Sequence, residues 1–314
     1  MHWFLRTAVF TLVLLGVSYS IYSRFFPYVT NENRKEEIEV TTQNTLLPVT
    51  SEDWGIILGA PYAVFNGHVV NDYTPEIAED NGLSSAWGIK NRQDLLQQLF
   101  WLIMEGHSTD YYEIRDTVIH LSKNDFDMLL SNIEKSQWDE TEKQELIWQY
   151  KMMYHNTHDI QNMEYLAWDY VRFSMLCLEG ARLKYITKEE AQSWTRMLAP
   201  RLRKMYTGWD DLWHHLFITR WFWSAQDKQW TSSQSDYLAI VDNLLQDKSS
   251  PVNVIQWDVP LSSTDTTSFS EALVSLQLPK SMVTLELEGD DDVTVGVDEL
   301  NEIIRAHLNI SPPK

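Results

Sequence analysis

The sequence predicts a mainly α-helical protein: a compact helical domain behind an N-terminal transmembrane helix, with a small α/β appendage at the C-terminal end. Three observations lead there. The opening stretch is almost free of charge over a membrane-spanning length. From Trp54 to Trp257 apolar residues recur at helical spacing, and most of the fourteen tryptophans fall in that interval. Beyond Pro251 the pattern shifts towards alternation and acidic turns.

Between Trp3 and Tyr22 the only full charge is Arg6. As a helix this segment spans about 30 Å, the thickness of a bilayer's hydrocarbon core. Arg6 lies near one end, where its stem can reach the headgroups. Trp3 and Phe4 on one side, and Tyr19, Tyr22, Phe25, Phe26 and Tyr28 on the other, match interfacial aromatic belts. Pro27 discourages further helix. Residues 1–28 therefore read as a signal-anchor, with residues 3–22 in membrane lipid. A cleaved signal peptide is the competing reading, with Val17-Ser18-Tyr19-Ser20 as an imperfect small-residue site. A short tail carrying Arg6 favours an exported body, while Arg24, Arg34 and Lys35 after the span pull the other way.

Residues 29–50 are polar, without an apolar period, and read as a linker. Residues 51–260 form the expected helical domain. Asn91 caps a helix carrying Leu95, Leu96, Leu99, Leu102 and Ile103, which Gly106 stops. Thr141 to Met153 is an amphipathic helix with an acidic start. Tyr165 to Leu178 is apolar on nearly every face apart from Asp169 and Arg172, and so is the central buried helix. Thr187-Lys188-Glu189-Glu190 is a capping box, and Pro200 should kink or divide the helix it opens, which runs towards Tyr206. Trp209 to Trp223 and Asp236 to Leu245 are the remaining helices of this body.

Residues 261–314 read as an acidic α/β tail. Val252 to Val259 and Met282 to Glu288 alternate as strands do, Val293-Thr294-Val295 adds another, and a short helix runs from Asp298 to His307. No internal repeat appears.

A set of short signatures falls in order along the body: Trp87-Gly88-Ile89, Trp101-Leu102-Ile103-Met104-Glu105-Gly106-His107 and Trp168-Asp169-Tyr170-Val171-Arg172. Glu190-Ala191-Gln192-Ser193-Trp194, Trp209, Arg220 to Trp223, and Ser250-Pro251 before Trp257 follow. The series resembles the bacterial family known as domain of unknown function 1266, over roughly residues 52–260. It departs at Thr219, where the family pattern suggests a glycine before the arginine. The resemblance implies a bacterial origin and a helical fold, and no reaction.

Forty-five acids against 25 bases give a net charge of −20. Such a surface repels phosphate, and no basic cluster or zinc-finger spacing offsets it, so nucleic acid is excluded as a partner. Cys177, the one cysteine, sits in an apolar helical run and rules out an internal disulfide or multi-cysteine metal site. No phosphate loop, nucleophile elbow or dinucleotide fingerprint appears, so no cofactor is expected. His155, His158 and the adjacent His214 and His215 lack a converging zinc scaffold. Gly289-Asp290-Asp291-Asp292 lacks the alternation of a calcium loop. Trp209, Trp213, Trp221, Trp223 and Trp230 suit core packing better than a ligand cage.

Five polar residues are the candidate site: Glu105, His107, Asp169, Arg172 and Arg220. Asp169 and Arg172 are three apart on one helix face and, on so apolar a helix, must pair. They serve either as an ion pair fixing helix packing or as part of a catalytic cleft. His107 serves either as a general base or as a partner for the last carbonyls of its helix. Two functions follow from these alternatives. One is a non-catalytic, membrane-anchored binding or scaffold module with a protein partner. The other is an enzyme of unassigned chemistry, a hydrolase, using the five-residue cleft.

Overall fold

In a computed structural model of the chain, the described residues are 48–65, 67–75, 82–225, 227–277 and 294–310, with the backbone alone over 227–236. The expected transmembrane segment, most of the linker and the strand at 282–288 lie outside them. No helix among the described residues is long and apolar enough to cross a membrane.

The helices run in chain order as α1 (Trp54–Ile57), α2 (Ala60–Phe65), α3 (Gly82–Trp87), α4 (Arg92–Met104), α5 (Ser108–Val118), α6 (Lys123–Glu134), α7 (Glu140–Tyr154) and α8 (Leu166–Arg182). They continue as α9 (Lys188–Arg196), α10 (Ala199–Met205), α11 (Trp209–Ser224), α12 (Asp227–Gln246), α13 (Pro251–Val254), α14 (Thr267–Val274) and α15 (Val297–His307). No strand occurs among the described residues, where Thr294 makes only an isolated bridge.

Local chemistry sets the helix starts. The Asn91 side chain accepts the Asp94 amide, and Thr187 and Glu190 close the capping box of α9 in both directions. Such caps take up amides that the first turn leaves without helical partners. Pro200 stands in the first turn of α10, where its missing N–H costs nothing, and so separates α10 from α9.

Helix α8 is the axis of the body. All its residues are buried except Met175 and Glu179. It packs against α9, α4, α11, α1 and α5. Its first turn receives an outside cap: the Tyr206 hydroxyl accepts the Ala167 amide at 2.8 Å and donates to the Glu164 carbonyl at 2.7 Å. Cys177 is fully buried on this helix, and burial pushes its thiol well up, which suits a packing role.

Tryptophans fill much of the interior, and several of their N–H groups find backbone acceptors. Trp54, Trp209 and Trp257 meet with centroids 4.9–5.4 Å apart. Trp54 donates to the Trp257 carbonyl, Trp209 to that of Ile255 and Trp213 to that of Leu58. Thr219 is fully buried, and its hydroxyl returns to the carbonyls of His215 and Leu216. A threonine thus fits where a glycine was expected, because its polar atom is absorbed by its own helix.

The strand expected at Val252–Val259 is a correction. Pro251 opens the helical turn α13, and the chain then runs as a loop to Val259. Its alternation does not map onto two faces: Val252 and Ile255 are buried while Val254 is exposed. The loop carbonyls that a ladder needs are taken by side chains instead, Ile255 and Trp257 by the two indoles and Val259 by Arg203 at 2.8 Å.

The described part of the tail is helical. Phe269 and Leu273 of α14 and Leu300 and Ile304 of α15 are buried at helical spacing and join the same core. These two helices pack on each other and on α4, and α14 also meets α9. The helix expected at Asp298–His307 is present as α15; α14 had no counterpart in the sequence reading.

Candidate functional site

The corner between α4 and α5 brings three of the five candidates together. Gly106 ends α4 at φ +56, a left-handed turn that suits glycine, and points the following amides inward. The amides of His107 and Ser108 donate to the two Asp169 oxygens at 3.0 and 2.9 Å. Asp169, one helix away on α8, therefore caps the start of α5 from outside, where a negative charge also suits the helix dipole.

Arg172 completes the node from the next turn of α8. One Nη2 serves two partners, donating to Asp169 Oδ1 at 2.5 Å and to Nδ1 of His107 at 2.9 Å. Its Nε returns to the Trp168 carbonyl at 3.0 Å. The guanidinium lies over the rings of Trp168 and Trp87, 4.5 and 5.6 Å from their centroids. His107 is held edge-on by Trp101 and Trp223. Asp169, Arg172 and His107 are 0, 3 and 5% exposed, so the node is sealed beneath indoles.

Burial and the neighbouring Arg172 hold His107 well below the usual histidine range. A neutral ring whose Nδ1 accepts from arginine carries its proton on Nε2. His107 thus faces Arg172 and does not serve the last carbonyls of α4, as its helix-end position suggested. Burial pushes the Asp169 carboxyl upward, while Arg172 and both amides pull it down. Burial prevails and the carboxyl stands above its usual range, although its hydrogen-bond partners, Arg172 and the two amides, are all donors and favour the ionised form.

Glu105 sits at the rim, half-buried, and accepts the Trp101 indole at 3.1 Å. Arg220, on α11, lays its guanidinium over the Tyr237 ring at 4.6 Å. No hydrogen bond or ion pair among the described residues joins it to the other four candidates.

Asp110 is the residue that sequence reasoning missed. It lies in the first turn of α5, half-buried, and burial together with Glu113, Asp169 and Glu105 raises its carboxyl to about 7. Acids are common in a helix's first turn, so nothing local marked this one. His215, considered as a zinc ligand, accepts the Glu164 amide at 2.8 Å. No group of three or more His, Cys, Asp or Glu side chains able to hold a metal occurs among the described residues.

The described residues form a helical body with a buried acid–arginine–histidine node. The profile of the family described as "Protein of unknown function (DUF1266)" matches residues 82–257, more than half of the chain. The chain belongs to that family. It is also similar to YbeU, an uncharacterised protein of Escherichia coli (strain K12): 24% identical over 158 residues, which is 50% of this chain and 63% of YbeU. The match thus covers less than two thirds of that relative. No solved structure matches the chain.

Proposed function

We propose that the protein is a non-catalytic binding or scaffold module of the bacterial inner membrane. In this reading residues 3–22 stay in the lipid, residues 29–50 lift the body off it, and the body lies on the extracytoplasmic side. The observation that carries the non-catalytic half is the fate of the polar groups best suited to chemistry. His107, Asp169 and Arg172 turn towards one another and the α5 amides beneath indoles, and are almost wholly withdrawn from solvent. The membrane half rests on the composition of the opening segment.

Crosslinking in intact membranes, followed by solubilisation and mass spectrometry, tests this directly. A defined protein recovered with the full chain, and lost when residues 3–22 are replaced by a soluble leader, is the expected result. Recovery of the protein alone counts against it.

One observation favours the alternative, a hydrolase acting at the rim of the node. Asp110 and Glu105 are half-buried side by side with it, and a carboxyl titrating near 7 is suited to general acid–base work. A panel of ester, phosphate and peptide substrates separates the two readings. Turnover by the wild type that disappears in Asp110→Asn, with folding unchanged, establishes the enzyme; no turnover leaves the scaffold.

A further inference from the structure

The body carries a cavity of about 330 Å³ away from the node, where the starts of α4 and α9 meet the end of α8 and the loop bearing Tyr73. That volume is at the lower end of the range for small-molecule sites. Its charge runs against the rest of the molecule. In a chain of net charge −20, the walls bring Arg92, Lys184 and Lys188 together with one acid, Glu190.

Glu190 is already matched. Its two oxygens take the two Arg92 Nη groups at 2.6 and 2.9 Å, and it also accepts the Thr187 amide. Burial alone raises a carboxyl, yet these donors hold Glu190 below its usual range. Two ammonium groups are left over, and among the described residues neither has a carboxylate within ion-pair distance.

Both lysines are exposed at the mouth of the cavity, and the fold fixes where their backbones stand. Lys184 stands at φ +60 in the turn closing α8, a position usually given to glycine. Lys188 begins α9 and lies over the Tyr73 ring at 4.9 Å. The buried Ile186 forms an apolar floor between them.

We propose that this cavity binds a small organic anion, whose carboxylate or phosphate oxygens are held by Lys184 and Lys188 and whose carbon framework rests on Ile186 and Tyr73. Two ammonium donors on one oxyanion give charge-assisted hydrogen bonds, the stronger kind. The Arg92–Glu190 pair keeps the wall rigid and keeps the one acid from competing. This site is independent of the membrane and partner reading, and its failure leaves that reading untouched.

The test is calorimetric titration of the full chain in neutral detergent at low salt, with citrate and with inorganic pyrophosphate as probes. Saturable binding of either probe is expected, weakened about tenfold or more in the double variant Lys184→Gln/Lys188→Gln by loss of the charged donors. Lys204→Gln, an exposed lysine on α10, should bind as the wild type does. Absence of saturable heat from both probes up to about 10 mM, a concentration that still reveals weak affinities, overturns the proposal. So does an equal loss in Lys204→Gln, which would reduce the effect to diffuse attraction.

Discussion

Gly106 has room for a hydrogen and nothing more: a Cβ built there would stand 2.3 Å from Oδ2 of Asp169. Two requirements meet at this residue, the left-handed turn and the close approach of a carboxylate. Gly106→Ala should therefore lose about 2–5 kcal/mol, from the left-handed penalty plus overpacking, measured by urea unfolding. A loss within about 0.5 kcal/mol, as at an ordinary surface position, contradicts the geometry. The turn itself was legible, since a glycine after a periodic apolar run marks a helix end. Its closeness to Asp169, 63 positions further along, was not, because nothing local in the sequence encodes it. The same contrast holds within the candidate site. The spacing of Asp169 and Arg172 announced an ion pair, whereas the approach of His107 and the separation of Arg220 are long-range outcomes of packing.

Helix contacts extend that logic to whole elements. Gly55 lets α1 lie directly against α9, where an added Cβ would come within 2.4 Å of the Thr195 backbone. Backbone cannot swing aside as a side-chain end can. Gly55→Ala should cost about 1–3 kcal/mol through overpacking, read as a lowered thermal midpoint. Asn91→Ala, which removes the cap of α4, should cost about 1 kcal/mol in the same assay. An unchanged midpoint would show, for Gly55→Ala, that α1 and α9 are not in close contact there and, for Asn91→Ala, that the start of α4 is held by something else. Capped helices were the most legible elements, since their signals are local: Asn91, the Thr187 box and Pro200 all act where they were read. The region after Ser250 was misread because period-two alternation of Val and Ile over a few residues does not show where the backbone carbonyls go. Here they go to Trp54, Trp209 and Arg203.

At the scale of the molecule, the tail closes on the body and leaves a pH signature. The His307 carbonyl accepts from Arg201, and burial together with Arg201 lowers the His307 ring to about 4 from an ordinary 6.5. A base whose folded value is depressed binds its proton more readily unfolded. Stability therefore falls as pH drops from 6.5 towards 4. His307→Gln should flatten that part of the profile in denaturant titrations at stepped pH; an unchanged slope contradicts the burial of this ring. Asp110 acts with the opposite sign. Its carboxyl titrates near 7 folded and 3.8 free, so it costs stability as pH rises through that window. Asp110→Asn should gain on the wild type across the same interval, and a constant difference between the two would count against it.

All of this rests on the Asp169–Arg172–His107 node being what joins α4, α5 and α8, and one substitution addresses it. Asp169→Asn keeps the shape but leaves the Arg172 guanidinium, 3% exposed, buried without its counter-charge. The global unfolding free energy of the body, from urea titration near neutral pH, should fall by about 3–5 kcal/mol, the cost of breaking a buried pair on one side. A variant that unfolds within about 0.5 kcal/mol of the wild type would show that these charges do not hold the helices together.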